Sequence, residues 1–158
     1  MQAAPFDEVA LFKAIHDSGV RALLIGRRAL VLLGMPLLTA DYDFWIAFDQ
    51  IEAFNAAVAT CDLHPTVSPE VARQRGRYAL ENHEHVDVLI ARSVPTVDGT
   101  VVEFEALWSR RQSIALAPGI AVQRPAIDDL ILTKQFAQRP KDAEDIRLLT
   151  ALKAEGRS

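Results

Sequence analysis

The chain opens its informative part with an unbroken apolar run, Ala22-Leu23-Leu24-Ile25, that stops at Gly26. Its length and its turn-residue boundary predict a buried strand. Before it, Val9, Leu11, Phe12, Ala14 and Ile15 recur at helical spacing. They predict a helix from Phe6 to Ser18 that Gly19 stops. After it, Arg28 to Leu33 reads as a short helix halted by Gly34 and Pro36. Tyr42 to Phe48 reads as a second strand, apolar on both faces except at Asp41 and Asp43. Gln50 to Cys61 carries Ile51, Phe54, Ala57 and Val58 on one helical face, with Asp49 as the expected N-cap. Asp62 to Pro69 is a connection with room for a brief extended piece.

Gly76 to Asn82 and His85 to Ala91 predict two strands around a tight turn at Asn82-His83-Glu84. Pro95 to Gly99 is a turn. Val101 to Leu107 fits strand or helix, and Phe104 to Arg110 fits a short helix. Ile114 to Leu116 and Ile120 to Val122 flank Pro118-Gly119 as a small hairpin or a crossing strand pair. Pro125 opens a helix carrying Ile127, Leu130, Ile131 and Phe136. Pro140 closes that stretch and starts a last helix with Ile146, Leu148, Leu149 and Leu152 on its core side.

Composition narrows the classes. The sequence has 158 residues, half of them hydrophobic and 24% charged, which suits one ordinary domain spanning residues 1–158 that buries about two-thirds of its unfolded surface. A net charge of −4 and a pI near 5.5 argue against broad nucleic-acid binding, while leaving room for a local basic groove. Cys61 is the single cysteine, so no internal disulfide forms; its helical setting makes it a small core residue. No apolar run is long enough to span a bilayer. Met1 to Asp7 lacks the basic and apolar regions of a signal peptide. A cytoplasmic location without membrane association is the expectation.

The candidate chemistry begins at Asp41-x-Asp43. Strand residues two apart share a face, with Cα atoms roughly 7 Å apart. Two carboxylates so placed repel unless a cation lies between them, and Mg²⁺ takes carboxylate and phosphate oxygens together. Two such ions about 4 Å apart can hold both the attacking and the leaving oxygen of a phosphoryl displacement. Asp87 projects opposite Val86, Val88 and Ile90; a sheet-edge carboxylate paired with an arginine is the plain alternative. His83, His85 and Asp87 alternate, but hairpin ends often carry polar residues, so a transition-metal site is the lesser reading and His85 is left near a possible cleft. Arg73, Arg75 and Arg77 would line one face if extended and could meet phosphates; a solvated loop bending at Gly76 is the favoured reading. Lys134 projects from an apolar helix and needs an anion, either a phosphate or a carboxylate such as Asp142. Asp142 and Asp145, one turn apart near a helix start, suit the helix dipole and ion pairing with Arg139 or Lys141.

These residues fall into a known pattern. Gly26-Arg27-Arg28-Ala29 to Gly34, followed by Thr39-Ala40-Asp41-Tyr42-Asp43, resembles the signature of the polymerase-β-like nucleotidyltransferase superfamily. The nearest likeness is to small bacterial AbiEii- and MNT-related proteins. The string Asp129-Leu130-Ile131…Lys134…Arg139-Pro140-Lys141-Asp142…Asp145 resembles the same family's downstream motif. The resemblance covers about residues 20 to 150. It implies an α/β (α+β) nucleotidyltransferase fold, a mixed β-sheet flanked by helices, with C-terminal helices. It implies Asp41, Asp43 and Asp87 as catalytic metal ligands for Mg²⁺, two ions, with Mn²⁺ as a substitute. Gly26, Arg27 and Lys134 become nucleotide-binding residues, and Arg139, Lys141, Asp142 and Asp145 supporting ones. The implied donor is an NTP, ATP first. The acceptor hydroxyl is unassigned, on a protein, an RNA or a small molecule, with RNA less favoured. A protein partner or a second copy would supply further acceptor surface. Arg27 departs from the pattern, standing where the family has Gly or Ser; it could clamp a phosphate or obstruct the nucleotide. The alternative is a catalytically silent interaction module on the same fold, such as a toxin–antitoxin component.

Overall fold

The computed structural model describes residues 6–158; Met1 to Pro5, part of the segment read for a signal peptide, lie outside it. In chain order the elements are α1 (Glu8–Ser18), β1 (Ala22–Ile25), α2 (Gly26–Leu32) and β2 (Tyr42–Ile46). After a 3-10 turn at Phe48–Gln50 come α3 (Ile51–Ala59), β3 (His64–Pro65), α4 (Pro69–Arg75), β4 (Arg77–Glu81) and β5 (His85–Leu89). The rest are β6 (Ser93–Pro95), β7 (Val101–Glu103), α5 (Phe104–Ser109), β8 (Gln112–Ala117), β9 (Ile120–Arg124), α6 (Ile127–Thr133) and α7 (Pro140–Ala154).

Five strands form one mixed sheet in the order β1-β2-β5-β4-β3; β6 with β7 and β8 with β9 form two small ribbons. β2 runs parallel to β5, and the other neighbours in the large sheet are antiparallel. Alternation divides the side chains between two faces. Leu24, Phe44, Ile46, Val86, Val88 and Ile90 point into the main core, with Phe12, Phe54, Leu30 and Leu149 from the helices. Phe12, Phe44 and Phe54 meet edge-on or tilted, at centroid distances of 6.2 and 5.7 Å, geometries that aromatic quadrupoles favour.

The other face is covered at only one end. There Leu23, Trp45 and Ala47 pack with Val102, Phe104 and Leu107, and Leu132 and Phe136 close over them. Trp45 Nε1 donates to the Ala91 carbonyl at 2.8 Å, which satisfies the polar end of a fully buried ring. The other end of this face remains open.

Several local expectations need correction. Residues 69–75 are helical, not a solvated loop: the Ser68 hydroxyl accepts from Val71 N, and Pro69 takes the first turn, where its missing N–H costs nothing. Asp49 does not cap α3; it lies inside the 3-10 turn, and Gln50 precedes the helix without a side-chain cap. α2 starts at Gly26 itself, two residues earlier than the apolar pattern indicates. Glu103 marks where Val101 to Leu107 changes from strand to helix. Among the described residues no helix is long and apolar enough to cross a membrane.

Candidate functional site

At the open end of the sheet lies a cleft of about 850 Å³. Its floor is built by strand register. Asp43 on β2 sits beside Asp87 on β5, and Ile25 on β1 sits beside Asp43 on its other flank. Parallel neighbours in register present their side chains to the same face, so alternation and pairing together place the two carboxylates next to each other. Asp41 adds a third, just ahead of β2. Its approach is fixed by Arg28, whose guanidinium lies 4.2 Å from the Tyr42 ring centroid, donates to the Thr39 carbonyl at 2.8 Å and pairs with Glu8 at 3.4 Å.

Gly26 is required by this floor. Its φ is +73°, and a Cβ there would stand only 2.9 Å from Asp43 Cγ, with the carboxylate oxygen closer still. The glycine thus provides both a left-handed turn from β1 into α2 and the space Asp43 occupies. No side chain caps α2, and its first residues, Gly26 and Arg27, line the cleft.

Charge on the floor is unbalanced. Among the described residues no cation forms an ion pair with Asp41 or Asp43. Burial, then the Asp87 and Asp41 carboxylates, push the Asp43 carboxyl up to about 6, although Lys134 and Lys141 pull the other way. Asp87 is more exposed and is held by His85, whose Nε2 lies 2.9 Å from Asp87 Oδ1 while Nδ1 lies 3.1 Å from Glu81. The hydrogen bond to Asp87 raises the His85 imidazole above its ordinary value. His83 falls in the exposed turn and takes no part. Among the described residues no three acids, histidines or cysteines are already converged as a metal cage; Asp41, Asp43 and Asp87 stand around an opening. Three carboxylates, two of them without a counter-cation among the described residues, suit a hard divalent ion such as Mg²⁺ better than a transition metal, so the donor set fits.

The facing wall comes from α2, α6 and α7, and here charge is matched. Asp145 is fully buried and is paired by Lys134 at 2.7 Å and by Arg27 at 3.1 Å. Lys134 is itself only 5% exposed. Its anion is therefore Asp145, not the Asp142 that sequence proximity suggested. Asp142 pairs with Arg139 at 2.9 Å in a reciprocal cap of α7. Burial alone would raise Asp142, yet the Arg139 hydrogen bonds hold it below the usual carboxylate range. Arg27 reaches Glu144 as well, at 3.1 Å, so the bulky residue of the glycine turn has its guanidinium engaged on α7. Glu144 is a partner that the sequence reading missed.

Of the residues singled out from sequence, Gly26, Arg27, Asp41, Asp43, Asp87, Lys134, Arg139 and Lys141 all line this one cleft. Asp142 and Asp145 stand behind it as buried counter-charges. Arg73 leaves the predicted group: it forks onto Glu52 from the other side of α4. Arg75 and Arg77 remain in the cleft, along with Thr66, Val67 and Ala79, which no sequence motif marked.

Solved structures place this architecture. The chain superposes on the antibiotic-resistance factor ANT(2'')-Ia with a TM-score of 0.63, at 17% identity over 92% of this chain and 82% of that one. It matches the lincosamide antibiotic adenylyltransferase LnuA at 0.62, with 14% identity over 94% of this chain and 99% of that one. TM1012 from Thermotoga maritima gives 0.58, at 12% identity over 87% and 86%. The chain has the nucleotidyltransferase fold. The expected mixed sheet with flanking and C-terminal helices is the one observed. No protein-family profile and no curated protein sequence matches the chain; the likeness lies in the fold.

Proposed function

We propose that the protein is a metal-dependent nucleotidyltransferase that moves a nucleoside monophosphate from an NTP, ATP first, to an acceptor hydroxyl. The observation that carries this reading is the in-register pair Asp43 and Asp87, joined by Asp41 at the open end of the sheet, where among the described residues neither Asp41 nor Asp43 has a counter-cation. Mg²⁺, as one or two ions held by Asp41, Asp43 and Asp87, would neutralise the phosphates and polarise the reacting oxygens. The chain's own residues do the rest. Gly26 lets the first turn of α2 stand beside the phosphates. Lys134, Lys141 and Arg27 offer positive charge along the facing wall, with Arg139, Asp142 and Asp145 bracing them. The acceptor oxygen bonds to the α-phosphorus, the bond from that phosphorus to the pyrophosphate oxygen breaks with its electron pair, and Asp87 accepts the hydroxyl proton. Placement and charge supply the rate.

Fold likeness to ANT(2'')-Ia and to LnuA, named as an adenylyltransferase, supports adenylyl transfer. The finer motif likeness to AbiEii- and MNT-related proteins rests on sequence alone. The silent interaction module, a toxin–antitoxin component among the possibilities, draws on Arg27. Its guanidinium is drawn onto Glu144 and Asp145 of α7, where it braces the facing wall, and this speaks against the obstruction. Arg27→Gly should therefore weaken nucleotide binding; a gain in affinity would favour the silent module.

Calorimetry with ATP, GTP, CTP and UTP, each with and without Mg²⁺, tests the proposal. We expect Mg²⁺-dependent binding of one nucleotide that disappears in Asp43→Asn. A folded wild-type protein that binds none of the four would refute it.

A further inference from the structure

Among the described residues, every lysine and arginine has an acid, a backbone carbonyl or an aromatic ring as partner, except Arg75, Arg77, Lys141 and Arg147. Arg147 is exposed on α7; the other three line the cleft. Lys141 acts on Asp43 and belongs with the nucleotide wall already described. Arg75 and Arg77 stand elsewhere. In the strand order β1-β2-β5-β4 the carboxylates of β2 and β5 lie between the Gly26 turn, which follows β1, and Arg77 on β4. Ala79 is the register partner of Asp87, and Arg77 is two residues from Ala79 on the same face. The small side chain of Ala79 leaves open floor between Arg77 and Asp87.

The corner that carries the two arginines is rigid. Arg75 ends α4 and Arg77 starts β4. Gly76 between them has φ +77°, and a Cβ on it would meet Ala91 Cβ at 3.1 Å. Its carbonyl accepts from both Ile90 N at 2.8 Å and Ala91 N at 3.0 Å. Two arginines are thus held on a fixed backbone in the cleft that holds Asp87, and among the described residues neither pairs with an acid. Scattered surface arginines would not select the cleft in this way.

Given the nucleotidyltransferase reading, on which this inference rests, we propose that the Arg75–Gly76–Arg77 corner is the acceptor's anion subsite. The acceptor is a small hydroxyl compound that also bears a phosphate or carboxylate, with its hydroxyl at Asp87 and its oxyanion between the two arginines. Guanidinium forks match the geometry of such oxyanions and bind them bidentately. A cationic acceptor would meet two like charges. An RNA acceptor is disfavoured because the chain carries a net charge of −4, and a single pair of arginines is not the cationic track with stacking faces that a strand needs.

The test uses the full chain saturated with Mg²⁺ and a non-hydrolysable ATP analogue. Inorganic phosphate is titrated in while the arginine Nε–H resonances are followed by NMR. Arg75 and Arg77 should shift together and saturate, while Arg147 serves as the exposed control and does not. Arg77→Gln should demand roughly tenfold more phosphate to move Arg75, with affinity for the analogue unchanged. Arg75 and Arg77 responding no more than Arg147 would overturn the proposal. So would an equal loss of analogue affinity in Arg77→Gln, which would assign the corner to the nucleotide. A single-stranded RNA oligonucleotide that binds there on the order of a hundredfold more tightly than phosphate, with a steep salt dependence, would reassign the corner to nucleic acid. Failure of the underlying reading has a separate signature: no analogue-induced shift at Gly26 or Lys134. The phosphate response of Arg75 and Arg77, read without nucleotide, still decides the anion subsite in that case.

Discussion

The two sides of the cleft treat charge in opposite ways. On the α7 side each buried acid has its cation: Asp145 holds Lys134 and Arg27, and Asp142 holds Arg139. On the sheet side Asp41, Asp43 and Asp87 crowd together with only His85, on Asp87, as a partner among the described residues, and burial together with the neighbouring carboxylates pushes Asp43 up to about 6. Buried ion pairs are costly to assemble and costly to break by half, so the pairs of the α7 side hold the wall in place with or without a ligand. The sheet side is incomplete as it stands: Lys134, Lys141 and His85 offset its repulsion only in part, and positive charge brought from outside would relieve the rest. Matched charge marks what holds the cleft open, and unmatched charge marks where chemistry is expected.

The largest expected effect falls on the unmatched side. Asp43→Asn should lower nucleotidyl transfer by on the order of a thousandfold or more while circular dichroism and gel filtration remain those of wild type. A variant with full activity would remove Asp43 from the proposed metal-binding set. On the matched side the loss should be in stability instead. Asp145→Ala strands Lys134 and Arg27 without their acid and should cost about 3–5 kcal/mol of unfolding free energy, read by urea titration; a change below about 1 kcal/mol would mean that the pairing does not brace the wall.

A pH series distinguishes the sides by sign. The Asp43 carboxyl has an ordinary value of 3.8 and a folded value of about 6. Below about pH 4 it is protonated in both folded and unfolded chains. Between about pH 4 and 6 the fold retains a proton that the unfolded chain releases, so stability falls as pH rises through that window and stays lower above it. In metal-free buffer Asp43→Asn should escape this fall and exceed wild type above pH 6 by about 2–3 kcal/mol. Adding Mg²⁺ should narrow the gap by raising wild type alone. Equal pH profiles for the two proteins would mean that the floor is not strained. The smallest effect belongs to Glu144→Gln, half-exposed at the rim of the matched side, which should change stability by less than about 1 kcal/mol; a larger loss would make Glu144 a principal anchor of Arg27.

How much of this was legible in the sequence depended on range. Asp41-x-Asp43 on a strand could be read because period-two alternation is local, and Asp87 because three β-branched neighbours fix its face. The exact pairings could not. Lys134 finds Asp145 rather than Asp142 because a helix turn rotates Asp142 toward Arg139, a choice made by packing of α6 against α7. Sequence leaves Arg27 open between a phosphate clamp and an obstruction at the glycine turn, since its partners Glu144 and Asp145 lie on a helix more than a hundred residues away. α4 is a different kind of miss: Ser68-Pro69 carried a valid start signal, but the arginines that follow drew the reading toward a solvated loop. Gly76 was recognised as a bend, yet its contact with Ala91 depends on a strand pairing that no local pattern reveals.

The bond from Arg27 to Asp145 joins residues 118 apart, and this bears on how the protein is made. A chain emerging from the ribosome N-terminus first displays Gly26, Asp41, Asp43 and Asp87 long before α7 exists. Until α7 emerges, Arg27 and Lys134 have no counter-charge and the facing wall is missing. An interrupted product therefore carries the acids of the cleft but not its closing wall, so synthesis itself withholds the finished site until α7 is complete.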